Sequence, residues 1–487
     1  VTSHLHHGRN ARNSAYKKEL FCLFALFYFL PEKRNGDDIL SYLRIAKTAV
    51  VRRTPLGIYI GLPHNTRLEA FSTLLEIDES TEMLFMLCDG THTQKDICEI
   101  LAEHSGEPVT EIEKGLDEVV EYMVGEGILE VRETPSYIEP IYQGTRPYSL
   151  TIGLTFNCNL HCSFCSVEGG VPFKHELTLD DIVPVVEQVK KLKPSPFGLS
   201  GGEPLLKKEL ALYILEEVCP VDDMYVNLFT NGTLITKDYA HQLYDAGLRC
   251  ARVSVDGHTA QVHDAMRGKG TFEKTIQGIQ FLKELGIHIE TMSLITKTNY
   301  PYVKEIKEFV THLGDTCLIG PINPMGRGIN SPLLLTPEER INTILTNFDL
   351  EKIQTTVAPR SGCLAGLPLY IDPKGDIYPC FYMMLPEFKI GNVKEHDLCE
   401  IYKTDLMKKL MGITIADIEE CKDCDIRYFC GGSCRAAAYR CGGSLFVPDA
   451  LDCEYYKDLA DKIMENGEEI TKRALQELLE STKNLSE

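Results

Sequence analysis

The stretch Ser149-Leu-Thr-Ile-Gly-Leu-Thr155-Phe-Asn-Cys158-Asn-Leu-His-Cys162-Ser-Phe-Cys165 decides how this chain is read. Its first half reads as a strand from Ser149 to Thr155, and its second half as the loop that leaves that strand. The loop carries three thiols spaced C-x3-C-x2-C. Three thiolates on one loop can wrap three irons of a [4Fe–4S] cube, because thiolate is the preferred iron–sulfur ligand. The fourth iron then has no protein ligand, and an open coordination position is where chemistry can occur. Zinc is the alternative, but it wants a fourth nearby Cys or His, and His161 is a poor candidate.

Downstream of Tyr148, strand and helix alternate six times. The strands are expected at Ser149–Thr155, Phe197–Ser200, Tyr225–Phe229, Ala251–Val255, His288–Leu294 and Thr316–Pro321. Helical stretches fall between them at Leu177–Lys193, Lys208–Cys219, Lys237–Ala246, Phe272–Leu285 and Tyr302–Leu313. Strands separated by one helix each imply parallel pairing, so residues 148–330 predict an α/β fold, an incomplete (β/α)6 barrel. Barrel enzymes keep their chemistry in the loops at the C-terminal strand ends. Those ends carry the cysteine loop, then Gly201-Gly202-Glu203-Pro204, Thr230-Asn231-Gly232 and Ser254-Val-Asp256-Gly257.

In that order, on successive strands, these motifs resemble the radical S-adenosylmethionine (SAM) superfamily, over more than half the chain. The resemblance implies that Cys158, Cys162 and Cys165 ligate the catalytic cluster, whose open iron is chelated by the amino and carboxylate groups of SAM. It places Phe164 against adenine, the Gly201-Gly202-Glu203-Pro204 motif at the methionyl ammonium through Glu203, and Asn231 and Asp256 near the ribose. Ser254 and Arg267 fall near the methionine carboxylate, a pairing that a guanidinium and a hydroxyl suit chemically.

Beyond about residue 330 the alternation is lost, and residues 360–455 carry nine of the 18 cysteines. Cys363, Cys380, Cys421, Cys424, Cys430, Cys434 and Cys453 resemble the SPASM extension of radical SAM peptide-modifying enzymes, predicted here over 331–455. The resemblance implies one auxiliary [4Fe–4S] cluster on Cys421, Cys424, Cys430 and Cys453 and a second on Cys363, Cys380 and Cys434, three clusters in all. The second has only three assigned ligands. Either Cys441, Cys399, Cys98 or Cys88 completes it, or one iron stays open to a substrate thiolate. Cys22, Cys219, Cys250 and Cys317 lie in apolar runs and read as structural. A polar C-terminal helix is expected over 456–487, beginning as early as Asp449.

Residues 55–135 read as a winged-helix module, with strands at Gly57–Leu62, Leu68–Leu75 and Gly127–Val131 around three helices. Alongside the barrel and tail it resembles the recognition element that binds leader peptides of ribosomally made precursors, capturing them as an added strand. Residues 1–54 carry no motif; the apolar run Phe21–Leu30 is shorter than the roughly 20 residues a membrane span needs.

Composition sets outer bounds. The chain has 487 residues, 44% hydrophobic and 25% charged, which excludes disorder and implies several domains. Lys and Arg number 50 against 71 Asp and Glu, a net charge of −21 that repels phosphate backbones. No nucleic-acid or membrane partner is expected, and the spacing among the 18 cysteines favours metal binding over disulfides in a protein read as cytoplasmic.

The resemblance as a whole implies an enzyme that matures a ribosomally made precursor peptide. It is most like the sactipeptide and ranthipeptide maturases, which join a Cys sulfur to carbon after hydrogen abstraction by the 5′-deoxyadenosyl radical. Its reductant would be flavodoxin or ferredoxin. Alternatives are carbon–carbon crosslinking, tyramine excision, sulfatase maturation, or a non-catalytic electron-transfer or leader-delivery scaffold.

Overall fold

Leu43 and Ile45 are buried, and the strand that carries them organises the N-terminal region. The computed structural model describes residues 42–45, 50–54, 57–61, 74–77 and, with short interruptions, 79–346 and 362–466, with single positions up to 479. Phe21–Leu30, the first part of the strand expected at Leu68–Leu75 and most of the chain after 466 lie outside the described residues.

The region begins with β1 (Tyr42–Ile45), β2 (Val50–Thr54), β3 (Gly57–Gly61) and β4 (Leu74–Ile77). It continues through α1 (Glu79–Leu87), β5 (Asp89–Thr93), α2 (Gln94–Ser105), α3 (Val109–Gly125), β6 (Leu129–Arg132) and β7 (Tyr142–Gln143). A sheet of order β5-β1-β6 supports the three helices, and a second sheet runs β4-β3-β2-β7. Leu43, Ile45, Phe85, Ile97 and Leu116 form one core. The helical unit therefore takes its central strand from 42–45, ahead of the expected start at 55, and the strand expected at Gly57 belongs to the other sheet. Asp89 and Thr93 of β5 pair with Arg44 and Tyr42 of β1. Strand pairing across some fifty residues carries no local signature. The ends of α2 are local and legible: Thr93 and Asp96 exchange hydrogen bonds in a capping box, and Gly106 closes the helix at φ 74°.

The barrel follows as β8 (Ser149–Gly153), α4 (Leu179–Leu192), β9 (Phe197–Ser200), α5 (Lys208–Val218), β10 (Val226–Thr230), α6 (Lys237–Asp245) and β11 (Cys250–Ser254). Next come α7 (Ala260–Arg267), α8 (Thr271–Glu284), β12 (His288–Ile295), α9 (Val303–Leu313), β13 (Thr316–Pro321) and α10 (Pro337–Leu345). The six strands pair in parallel in chain order, as the alternation predicts.

The tail does not start a separate sheet. β14 (Pro368–Ile371) pairs in parallel with β8, and β15 (Asp376–Tyr378) and β16 (Gly391–Asn392) continue antiparallel, making nine strands. The short helices α11 (Asp405–Met411), α12 (Arg427–Cys430) and α13 (Arg435–Gly442) follow, and α14 (Cys453–Asn466) starts on a cysteine.

Strand alternation sorts the barrel's two faces. Leu150, Ile152, Leu199, Leu228, Val253 and Ile289 point outward and are buried under the helices. Their inward neighbours Thr151, Ser200, Phe229, Arg252, Ser254 and Met292 are only half-buried, so the lumen is open. Among the described residues no helix is long and apolar enough to cross a membrane.

Candidate active site

The cysteine loop leaves β8 and is held mainly by backbone. Thr155 O accepts from Gly202 N–H at 2.6 Å and Asn157 O from Glu203 N–H at 2.9 Å, stitching the loop to the one after β9. A Cβ on Gly201 would lie 2.3 Å from Thr155 O, and one on Gly202 2.3 Å from Asn157 O. The space these glycines clear is taken by the cysteine loop. Glu176, absent from the sequence reading, braces the loop from below by accepting from Thr155 Oγ1 and Phe156 N–H and pairing with Lys207.

Arg327 was missed as well. It donates from Nε to Cys162 O at 2.8 Å, from Nη1 to Gly169 O at 2.9 Å and from its backbone N–H to Cys165 O at 3.0 Å. Gly326, at φ 48°, lets this segment close on the loop, since a Cβ there would meet Cys165 O at 2.5 Å. An arginine flanked by glycines just past the sixth strand, at the end where every other motif sits, was the available signal.

Glu203 is fully buried. Oε1 accepts from Leu205 N–H at 3.1 Å and Thr230 Oγ1 at 2.8 Å, and Oε2 from Asn231 N–H at 2.8 Å. Burial outweighs these bonds and pushes the carboxyl up to about 7. Its unused lone pairs suit a cation. Asn231 reaches back to the cysteine loop, donating to Asn159 Oδ1 at 3.0 Å.

Asp256, also fully buried, accepts from Leu294 N–H at 2.8 Å and from Arg267 Nε at 2.6 Å. Arg267 lies 5.7 Å from the Phe164 ring. Burial works against its charge, but Asp256 and the Cys162 and Cys165 thiols more than compensate, and its pKa rises. Arg267 and Asp256, expected near the carboxylate and the ribose of the cofactor, pair with each other here, because an arginine this buried needs a counter-charge. Ser254 stands on the lumen face of β11, and Phe164 packs with Met266 and Ile322.

The tail thiols fall into two groups. Cys380 is influenced by Cys363 and Cys434, and Cys430 by Cys453, Cys421 and Cys424. Of the proposed fourth ligands, Cys441 is exposed, Cys399 packs on the barrel core, and Cys88 and Cys98 lie in the N-terminal core. The Cys363/Cys380/Cys434 group abuts the barrel mouth: Phe381, next to Cys380, meets Tyr370 of β14 edge-on at 5.1 Å between ring centroids and joins Phe156 of the cysteine loop. A polar chain ties both groups to the barrel exit. Arg340 donates to Asp452 Oδ1 at 2.8 Å and Asn323 Oδ1 at 3.0 Å, and Ser433, beside Cys434, donates to Asp449 and Asp452.

Among the described residues no group of three or more His, Cys, Asp or Glu side chains converges on a single metal-ion position. In a cube each cysteine would take a different iron. Burial pushes Cys158 up to about 11 and Cys430 and Cys434 up to about 12, so ionisation of these thiols awaits the positive charge of iron. Cys158, Cys162 and Cys165 would hold the first cluster, with Glu203 placed for the ammonium of SAM.

A partial parallel barrel with three thiols on its first strand-end loop, continued by a cysteine-rich tail on the same sheet, is a radical SAM fold with a SPASM domain. Residues 152–310 match the Radical SAM superfamily and residues 364–425 the SPASM iron–sulfur cluster-binding domain. The chain uses SAM and multiple [4Fe–4S] clusters as cofactors. It is 28% identical over 340 residues to the AdoMet-dependent heme synthase of Oleidesulfovibrio alaskensis, covering 62% of this chain and 86% of that one. It is 27% identical over 343 residues to the mycofactocin maturase MftC of Mycolicibacterium smegmatis, covering 66% and 86%. The solved structure of Streptococcus suis SuiB bound to S-adenosylmethionine matches its fold with TM-score 0.54 at 15% identity, covering 84% of this chain and 99% of that one. Residues from Tyr148 onward make up about 70% of the chain, so that likeness extends into the N-terminal region.

Proposed function

We propose that this protein is a peptide maturase that joins a cysteine sulfur of its substrate to carbon. The observation that carries the reading is the three-thiol group Cys363, Cys380 and Cys434 at the barrel mouth, with the candidate fourth cysteines exposed or packed elsewhere. Three protein ligands leave one iron for a substrate thiolate, which coordination would deprotonate and fix in place. One-electron reduction of SAM bound at the first cluster would supply a radical that removes a hydrogen atom from the peptide carbon, and joining the thiolate to that carbon radical would release one electron, which the auxiliary clusters would take up. The chain's own residues do the positioning. Glu203 receives the ammonium, Asn231 and the Arg267–Asp256 pair line the cofactor's place, and Arg327 holds the loop of Cys162 in register.

The N-terminal helical unit would bind a leader peptide along the edge of its β5-β1-β6 sheet. That SuiB, whose solved structures include one bound to its precursor peptide SuiA, matches the fold into this region supports the assignment. A low-potential flavodoxin or ferredoxin would supply electrons, and the setting is cytoplasmic. A second reading, an activity like that of the heme synthase relative, is favoured by its 28% identity; it needs no leader-binding unit.

The test is iron content after anaerobic reconstitution of a Cys158/Cys162/Cys165→Ala triple variant. Two auxiliary cubes leave about 8 irons per chain; about 4 or fewer removes the three-ligand cluster and the thioether mechanism with it. In the otherwise intact enzyme, Cys363→Ala should keep uncoupled SAM cleavage and lose the crosslink, read as a substrate cysteine open to alkylation. Equal crosslinking by variant and wild type would sink the thiol-coordination idea.

A further inference from the structure

Barrel interiors are ordinarily filled by bulky branched side chains. Here the inner layer below Ser254 is polar and solvent reaches it. Arg252 lies two residues before Ser254 on β11, on the same face and therefore about 7 Å deeper. Its neighbours in register are Phe229 of β10 and Glu290 of β12. The guanidinium stacks over the Phe229 ring at 5.0 Å and donates from Nε to Glu290 Oε2 at 2.7 Å.

Glu290 is buried and fully engaged. Oε1 accepts from Tyr225 Oη at 2.9 Å, and Oε2 accepts from Asn227 Nδ2 at 2.8 Å as well as from Arg252. The Arg252 side chain stays 19% exposed against 3% for Glu290, so the charge this layer turns toward the open lumen is positive. Beside it, Asn227 is 2% exposed and its Oδ1 has no hydrogen-bond partner. Leaving a buried amide oxygen unpaired costs about 1–3 kcal/mol. Gly198 makes the layer possible, since a Cβ there would lie 2.7 Å from the Phe229 ring.

We propose that Arg252 forms a substrate subsite for an acidic residue of the peptide. The outer edge of its guanidinium takes the side-chain carboxylate. Glu290 orients Arg252 and touches no substrate. The inference rests on the peptide-maturase reading and adds what the lumen selects.

The test uses reconstituted, SAM-bound full-length enzyme and two capped pentapeptides, Gly-Cys-Gly-Asp-Gly and its Asn counterpart, with affinities read by titration calorimetry. A charge-assisted hydrogen bond predicts about tenfold tighter binding of the Asp peptide. Arg252→Gln should erase the preference, Arg252→Lys should keep part of it, and Glu290→Gln should preserve it; iron content and melting temperature control for folding. Equal binding of both peptides by the wild type overturns the subsite and leaves the maturase reading standing. Binding of neither overturns that reading and the subsite with it. Acetate matching the Asp peptide in affinity overturns the assignment to a peptide in favour of a small carboxylate.

Discussion

The two cysteine-bearing regions solve the same problem in opposite ways. In the barrel, three thiols ride on eight consecutive residues, Cys158 to Cys165, and the fold clamps that loop through backbone contacts from β9 and from Arg327. In the tail, thiols as far apart in sequence as Cys363 and Cys434 become neighbours, and their segments reach the barrel both through β14 paired to β8 and through side-chain bonds of Arg340 and Ser433. A site assembled locally should tolerate loss of distant contacts; one gathered from afar should not.

The sharpest way to break that contrast is Cys158→Ala. It should abolish reductant-dependent 5′-deoxyadenosine formation while auxiliary iron stays, and comparable loss of auxiliary iron would show that the regions assemble as one. Next in size is Arg340→Leu, which strands Asp452 beside Cys453 and Ser433. Removing one partner of a largely buried pair should cost on the order of 3 kcal/mol. Iron should fall at the auxiliary sites first, with the SAM-site cluster signal kept in electron paramagnetic resonance.

A pH dependence sharpens the barrel side. Burial lifts Glu203 from 4.5 to about 7, so the folded chain holds that proton more tightly than the unfolded chain does. The stability it contributes is present below pH 4.5 and is lost as the pH rises through about 7. The ammonium of SAM pairs with the ionised form, so SAM affinity should rise across that same pH window. Glu203→Gln should flatten both curves, checked by thermal shift with and without SAM. The smallest effect is Thr178→Ala, which removes the N-cap of α4 and its capping box with Asp181. It should cost about 1 kcal/mol in thermal melting and leave iron at every site unchanged.

Legibility followed the same division. All six barrel strands sit within a residue or two of where alternation put them, and Thr316–Pro321 matches at both ends. α7 and α10 were not singled out; α7 is short, and half of its residues are polar. β1 was missed because its partners, β5 and β6, lie more than forty residues away. At the site, the thiols and Glu203 could be named from motifs. The Arg267–Asp256 pair, the Arg327 clamp and the Arg252–Glu290 layer could not, because each joins groups on different strands or loops.

What the sequence determined by itself is whatever covalent spacing and side-chain period determine: the C-x3-C-x2-C loop, the strand–helix alternation and the helix caps. What only the tertiary structure decided is which thiols pool together, that β14 extends the barrel sheet from the tail, and that a guanidinium faces an open lumen. The reason is physical. Period and spacing act over a few bonds, whereas the separation of side chains far apart in sequence is settled by how buried strands register against one another.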